Sequence, residues 1–402
     1  MSNFLHSETI AASAGVAEDS AYGDVSPPLH LSANYAWNDP LDKPQYDYAR
    51  SGNPTRTQLE EALCKLEGAA KGIVVSSGMA ALDLVLNLVN TGETVLAPHD
   101  CYGGTHRLLT ARAKRGQFNV EFVDQTDPAK LAAAFIKNPK LALVETPSNP
   151  LLRITDIRDC VAQARHCDTI VVADNTFLSP ALQNPLELGC DIVVHSTTKF
   201  INGHSDVVGG AVLAKDQALG DELAWWANCT GVTGAPFDSF LTLRGLRTLH
   251  TRIERQQASA EVVAAKLAED ERVSNVFYPG LESHPGHEIA KAQQQGFGSM
   301  FSVEFAEGVD VIELLRGLDL FTIAESLGGF ESLVCVPAAM THASMAPEAR
   351  AAAGISERLV RFSIGLEHQE DLLSDIFAAL EKASVPGGKI AYLHQEARGA
   401  CA

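Results

Sequence analysis

Two short apolar runs constrain this chain more than any other feature: VVADN at 171–175 and DIVVHSTTK at 191–199. Each is rich in β-branched residues and stops abruptly in polar ones. An unbroken apolar run of this length suits a strand covered on both faces, as in a parallel sheet between helix layers. Open α/β sheets bind ligands beyond the carboxyl ends of their strands. The first run delivers Asp174 to that edge, and the second delivers Ser196, Thr198 and then Lys199. A carboxylate, hydroxyls and an amine should therefore converge on one site.

The surrounding pattern supports such a sheet. Short apolar strands are expected at 73–75, 95–97, 120–123, 141–144, 170–173, 192–194 and 211–213, alternating with helical segments. Alternation of this kind builds βαβ units and a mainly parallel sheet. Residues 1–56 carry many turn formers, including Pro27, Pro28, Pro40, Pro44 and Pro54, and read as an extended arm that lies on something else. The segment TQLEEALCKLEG at 57–68 is helical, with Leu59, Leu63 and Leu66 on one face before a terminating glycine. After 254 the texture changes. A helix at 261–269, strands at 300–305 and 359–364 and a final helix at 371–380 suit a smaller α+β domain. The division expected is therefore an arm (1–56), a large domain (57–254) and a small C-terminal domain (255–402), with a loosely held tail from Pro386.

At 402 residues, with 46% hydrophobic and 20% charged residues, the chain has the composition of a globular enzyme. Its formal charge of −19 repels nucleic acid and anionic membranes. An anionic small ligand must then be caught by local arginines. Eight scattered cysteines without a CxxC pair read as reduced thiols of a cytoplasmic protein. The opening MSNFLHSETIAASAG lacks a secretory pattern, and no apolar run reaches membrane-spanning length.

A carboxylate facing a pyridine nitrogen, an amine able to form a Schiff base and hydroxyls for a phosphate describe a pyridoxal-phosphate (PLP) pocket. A surface lysine and a strand-end aspartate are each common alone; the ordered set is what carries weight. SSGMAA at 76–81 follows a strand and opens a helix, a place where free backbone amides receive phosphate. Many α/β turns look alike, so this signal is weak by itself. No GxxxxGK[ST] or GxGxxG pattern competes for the role. In YDYARSGNPTR at 46–56, Tyr48 and Arg50 are candidate anion ligands, although the same residues would also form a solvated turn. Tyr102, just beyond the strand at 95–97, brings an aromatic ring to the ligand edge.

Taken together, YDYARSGNPTR, SSGMAA, APHDCYGGTHRLL, VETPSNPLLRITDI, the VADN…DVVGG block, GFGSMFSVEF, LFTIAESLGGFESL and LVRFSIGLE resemble the Cys/Met-metabolism family of PLP enzymes, and its bacterial γ-synthases most. The likeness extends over residues from about 45 to 370. It implies the fold type I of PLP-dependent transferases, shared with aspartate aminotransferase. It implies PLP covalently held by Lys199, which also shuttles protons; Asp174 on the pyridine nitrogen; Tyr102 stacked on the ring and assisting proton movement; and Asn149 on the phenolic oxygen. Phosphate ligands would be Gly78, Met79, Ser196 and Thr198, with Tyr48 and Arg50 from a neighbouring subunit in a homotetramer built as a dimer of dimers. Arg361 would clamp the substrate α-carboxylate beside Ser326, with Glu325, Tyr48, Arg107 and Ser51 toward the rest of the substrate.

The activity so implied is γ-replacement: an O-acyl-L-homoserine, such as the O-succinyl ester, and L-cysteine give L-cystathionine, a step toward methionine. The rival within the family is γ-elimination of cystathionine to cysteine, 2-oxobutanoate and ammonia. A rival of another class is a non-catalytic regulator that keeps the fold for ligand sensing. Certain positions depart from relatives. Ser51 stands where enteric γ-synthases carry arginine, Val336 where histidine is usual and Ala339 where threonine or valine is common. Gly104 stands where methionine γ-lyases have cysteine, and Glu325 matches γ-synthases and γ-lyases rather than β-lyases. Among the thirteen histidines there is no HExxH, so no metal site is expected. His195 reads as structural, and Trp225 and Trp226 as packing residues.

Overall fold

The computed structural model of the chain describes residues 5–343 and 347–384. The tail from Pro386, and Cys401 within it, lie outside the described residues. The unbroken apolar runs form the middle of a seven-stranded sheet: β1 (Lys71–Val75), β2 (Thr94–Pro98), β3 (Asn119–Val123), β4 (Leu141–Glu145), β5 (Ile170–Asp174), β6 (Ile192–His195) and β7 (Gly210–Ala214). Each strand expected from sequence lies inside one of these. The order is β1-β7-β6-β5-β4-β2-β3, and β7 alone runs antiparallel to its neighbours. Every residue of β4 and β7 is buried, because helices cover both faces of the sheet. Parallel neighbours in register bring strand ends level: Glu145 of β4 pairs with Asp174 of β5, and Asp174 with Val194 of β6.

The first long helix is Pro54–Glu67 and starts earlier than the leucine spacing suggests. Asn53 caps it by accepting the Arg56 N–H at 3.1 Å, and Pro54 takes the first turn, where its missing N–H is harmless. Gly68, at φ +71°, closes it. The arm is not wholly extended. Ser7–Ser13 is a helix that buries Ala11, and the Arg247 guanidinium donates to the Ala14 carbonyl at 2.8 and 2.9 Å. Beyond it, Tyr22, Val25, Leu31, Trp37 and Leu41 are all exposed.

The second sheet has the order β10-β11-β12-β9-β8, from β8 (Val273–Phe277), β9 (Met300–Phe305), β10 (Thr322–Ile323), β11 (Leu333–Cys335) and β12 (Leu359–Ser363). β12 pairs antiparallel with both β9 and β11. One helix, Leu249–Ala268, runs without a break through the division expected at 254/255. It buries Ile253, Gln256, Ser259, Ala260, Val263 and Leu267 along one face, and the polar Gln256 and Ser259 interrupt the apolar pattern in sequence. The small sheet packs on this helix and on Gln369–Ala383 around Phe301, Phe305 and Phe362.

Candidate active site

A cavity of about 410 Å³ lies where the polar ends of β4, β5 and β6 face β12 and the loop after β10. Asp174 ends β5 and lines the cavity. Its Oδ1 accepts the Thr176 N–H at 3.1 Å. Burial pushes the Asp174 carboxyl upward, and the Thr176 hydrogen bonds and nearby His195 oppose this without reversing it. His195 points away from the cavity chemistry: its Nε2 lies 2.6 Å from Glu67 Oε1, both side chains being fully buried.

Lys199 follows β6 in a turn, and its Nζ donates to Ser326 Oγ at 2.8 Å. Burial, with the Arg361 guanidinium adding to it, brings the ammonium down to about 8, against the pull of Glu325. Arg361, in β12, is 3% exposed. It donates to Asn149 Oδ1 and to the Ser326 carbonyl, each at 2.9 Å. Ser326 sits at φ +116°, a conformation disfavoured for a residue with a Cβ. The contacts of Lys199 and Arg361 hold it there.

The opposite wall is built for close approach. Ser77 caps the helix Gly78–Val85, its Oγ accepting the Ala80 N–H at 3.0 Å, which leaves the Gly78 and Met79 amides without a partner inside the helix. A Cβ at Gly78 would fall 2.7 Å from Ser196 Cβ. Only glycine leaves that cradle open beside the Ser196 hydroxyl. Thr198 also lines the cavity, but its hydroxyl accepts the Gly209 N–H at 3.0 Å and donates to the Gly209 carbonyl at 3.2 Å. Tyr102 precedes the helix Gly103–Lys114, and a Cβ at Gly104 would collide with its ring at 2.5 Å.

An amine, a carboxylate at a strand end, free amides at a glycine-lined helix start and an aromatic ring around one cavity fit PLP. A sequence profile described as Cys/Met metabolism PLP-dependent enzyme matches residues 8–381. The chain belongs to that family and is PLP-dependent. Cystathionine γ-synthase of Escherichia coli K12 is 52% identical over 370 residues, covering 92% of this chain and 96% of that one. Cystathionine β-lyase of Lactococcus lactis subsp. cremoris MG1363 is 45% identical over 368 residues, 92% of this chain and 97% of that one. The crystal structure of cystathionine γ-synthase from Xanthomonas oryzae pv. oryzae, in complex with aminoacrylate and cysteine, is 54% identical with a TM-score of 0.93, covering 94% of this chain and 98% of that one.

Not every residue expected at the family's site meets the cavity. Glu325 and Ser326 line it; Tyr48, Arg50, Ser51 and Arg107 do not. Tyr48 is half exposed, and the Arg50 guanidinium packs 5.7 Å from its ring while donating to the Asn228 carbonyl at 2.7 Å. Ser51 Oγ donates to Asp47 at 2.9 Å, and Arg107 is exposed. Val336 is buried in the small-sheet core and Ala339 is exposed, neither lining the cavity. Asn149 lines the cavity while its Oδ1 is taken by Arg361. Conversely, Glu145, Thr176 and Thr341 line the cavity although none was among the residues expected at the site. Glu145 ends the LALVE strand as Asp174 ends IVVAD, so the strand-end argument applied to every strand would have found it. Among the described residues, no group of three or more His, Cys, Asp or Glu is arranged to hold a metal, and no helix is long and apolar enough to cross a membrane.

Proposed function

We propose that the chain catalyses γ-replacement, converting an O-acyl-L-homoserine and L-cysteine to L-cystathionine and the free carboxylic acid. The observation that carries this reading is the chain of contacts Lys199–Ser326–Arg361–Asn149 facing Asp174 across one cavity. The two γ-synthases above, more than half identical to this chain, favour replacement over elimination. PLP, when bound, supplies the electron sink that makes the amino acid's α-proton removable and the γ-acyloxy group able to leave. This chain's residues do the rest. Arg361 receives the substrate carboxylate through its planar fork, with Asn149 and the Ser326 carbonyl fixing its orientation. Asp174 offers its carboxylate to the pyridine nitrogen. Lys199 is the covalent anchor and, once displaced, the base that moves protons between neighbouring carbons; an amine near 8 has both forms accessible close to neutral pH.

Tyr48 and Arg50 lie outside their own chain's cavity and are assigned to the phosphate site of a neighbouring subunit, in a homotetramer made of two such dimers. Arg107 and Ser51 are assigned to the acyl end. The seven cysteines among the described residues are all free thiols, in keeping with a cytoplasmic enzyme. The L. lactis relative makes elimination the reading to exclude. Initial rates with O-succinyl- and O-acetyl-L-homoserine, each with and without L-cysteine, decide. Cystathionine formed in step with the released acid supports replacement. Release of 2-oxo acid and ammonia, indifferent to cysteine, overturns it.

A further inference from the structure

Glu145 carries none of the catalytic or binding roles assigned so far, yet it lies at the centre of the site. It ends β4, level with Asp174 on β5; both line the cavity, and Glu145 is only 6% exposed. Its Oε2 accepts the Tyr102 backbone N–H at 2.9 Å, and it also accepts the Asn149 backbone N–H. One carboxyl thus ties down two loops, after β2 and within the turn after β4, which carry the candidate ring-stacking and ring-oxygen residues. The charged groups that act on it most are Asp174 and Asp100, both of its own sign, while the cations Lys199 and Arg361 line the same cavity. Asp100 has partners elsewhere, accepting from Ser148 Oγ at 2.7 Å and Arg153 at 3.4 Å.

We propose that Glu145 is a positioning residue acting as an uncharged acceptor: it locks the Tyr102 and Asn149 main chain around the cofactor and leaves Asp174 the charged carboxylate of the pair. Two carboxylates side by side away from water do not both ionise without a large penalty, so one keeps a proton. Asp174 has the stronger claim to the charge, with two hydrogen bonds from Thr176 and the field of His195. For Glu145, burial and the neighbouring Asp174 push the carboxyl well above the usual range. Uncharged, it keeps its acceptor oxygens for the two amides and does not compete with Asp174 for the pyridine nitrogen.

This rests on the cavity being the PLP site, and the test separates the two. Apo-protein is titrated with PLP, following visible absorbance and the induced circular dichroism of the bound cofactor, for wild type, Glu145→Gln and Glu145→Ala. Glutamine keeps a neutral acceptor and should bind PLP within about threefold of wild type, with the induced signal preserved. Alanine removes both hydrogen bonds and should weaken binding about ten- to a hundredfold and diminish the induced signal. Loss of tenfold or more in Glu145→Gln means that the charge matters and overturns the proposal, and this can be measured even if Glu145→Ala fails to fold. A folded Glu145→Ala that behaves as wild type overturns it too. Wild type that binds no PLP sinks the site assignment itself.

Discussion

Lys199 shows how a single residue's surroundings set both chemistry and stability. Its ammonium falls to about 8 from an ordinary 10.5 because it is buried and Arg361 lies nearby. Between those two values the unfolded chain binds more protons than the folded one, so the folded state gains stability as pH rises from about 8 to about 10.5. Below about 8 the full deficit applies, on the order of 3 kcal/mol. Denaturant unfolding of apo-protein should therefore show Lys199→Met more stable than wild type at pH 7, with the gap closing toward pH 10.5. A difference independent of pH would mean that Lys199 is not desolvated. Asp174→Ala should keep part of its PLP affinity through the helix-end amides but lose about 10²–10³ in turnover, as when one preorganised electrostatic partner is removed. Near-normal kcat would place the pyridine elsewhere. Both residues are legible in the sequence because abrupt strand ends announce them. Glu145 answers to the same strand-end rule, applied to LALVE, whereas Thr176 does not, because its part comes from the turn that folds its N–H back on Asp174 while its hydroxyl accepts the Ser196 N–H at 2.9 Å.

At the scale of elements, the site depends on how closely the helix Gly78–Val85 approaches the turn after β6. Gly78→Ala would place a methyl against Ser196, and either the helix backs away or Ser196 leaves the phosphate position. We expect PLP affinity to fall about tenfold or more while the apo-protein melts near the wild-type temperature. An unchanged dissociation constant would show that the phosphate lies elsewhere. The large sheet is readable because its inner strands are buried on both faces and run as unbroken apolar stretches, although the edge strand β3 carries Glu121 and is only partly buried. The small sheet is only half readable: β8 is interrupted by the exposed polar pair Ser274 and Asn275, and β10 has two residues and β11 three, too short for any periodicity to register. Of the long helix Leu249–Ala268 only the part from 261 reads as helical in sequence, because Gln256 and Ser259 on its buried face break the apolar pattern before it. There the Gln256 amide donates to the Gly329 carbonyl at 2.6 Å, tying the helix to the segment after Ser326 through a side chain that periodicity counts as exposed.

For the whole molecule, the exposed side chains along residues 22–41 and the position of Tyr48 and Arg50 outside their own cavity put the proposed sharing of the site between subunits to the test. Arg50→Ala should weaken PLP retention. Mixed with inactive Lys199→Ala protein, it should recover activity, because a mixed dimer holds one site with both residues intact. No recovery after verified subunit exchange would assign the arm to its own chain. Such sharing cannot be read from one chain's periodicity; only the family likeness suggests it. We propose that the ends of β5 and β6, with the helix start after β1, form one PLP site whose amine is Lys199. The most direct test is borohydride reduction of the yellow holoenzyme followed by mass mapping of its peptides. We expect bleaching and a single pyridoxyl-bearing peptide modified at Lys199; modification at another lysine, or a reconstituted protein that takes up no PLP, would contradict a Lys199 anchor.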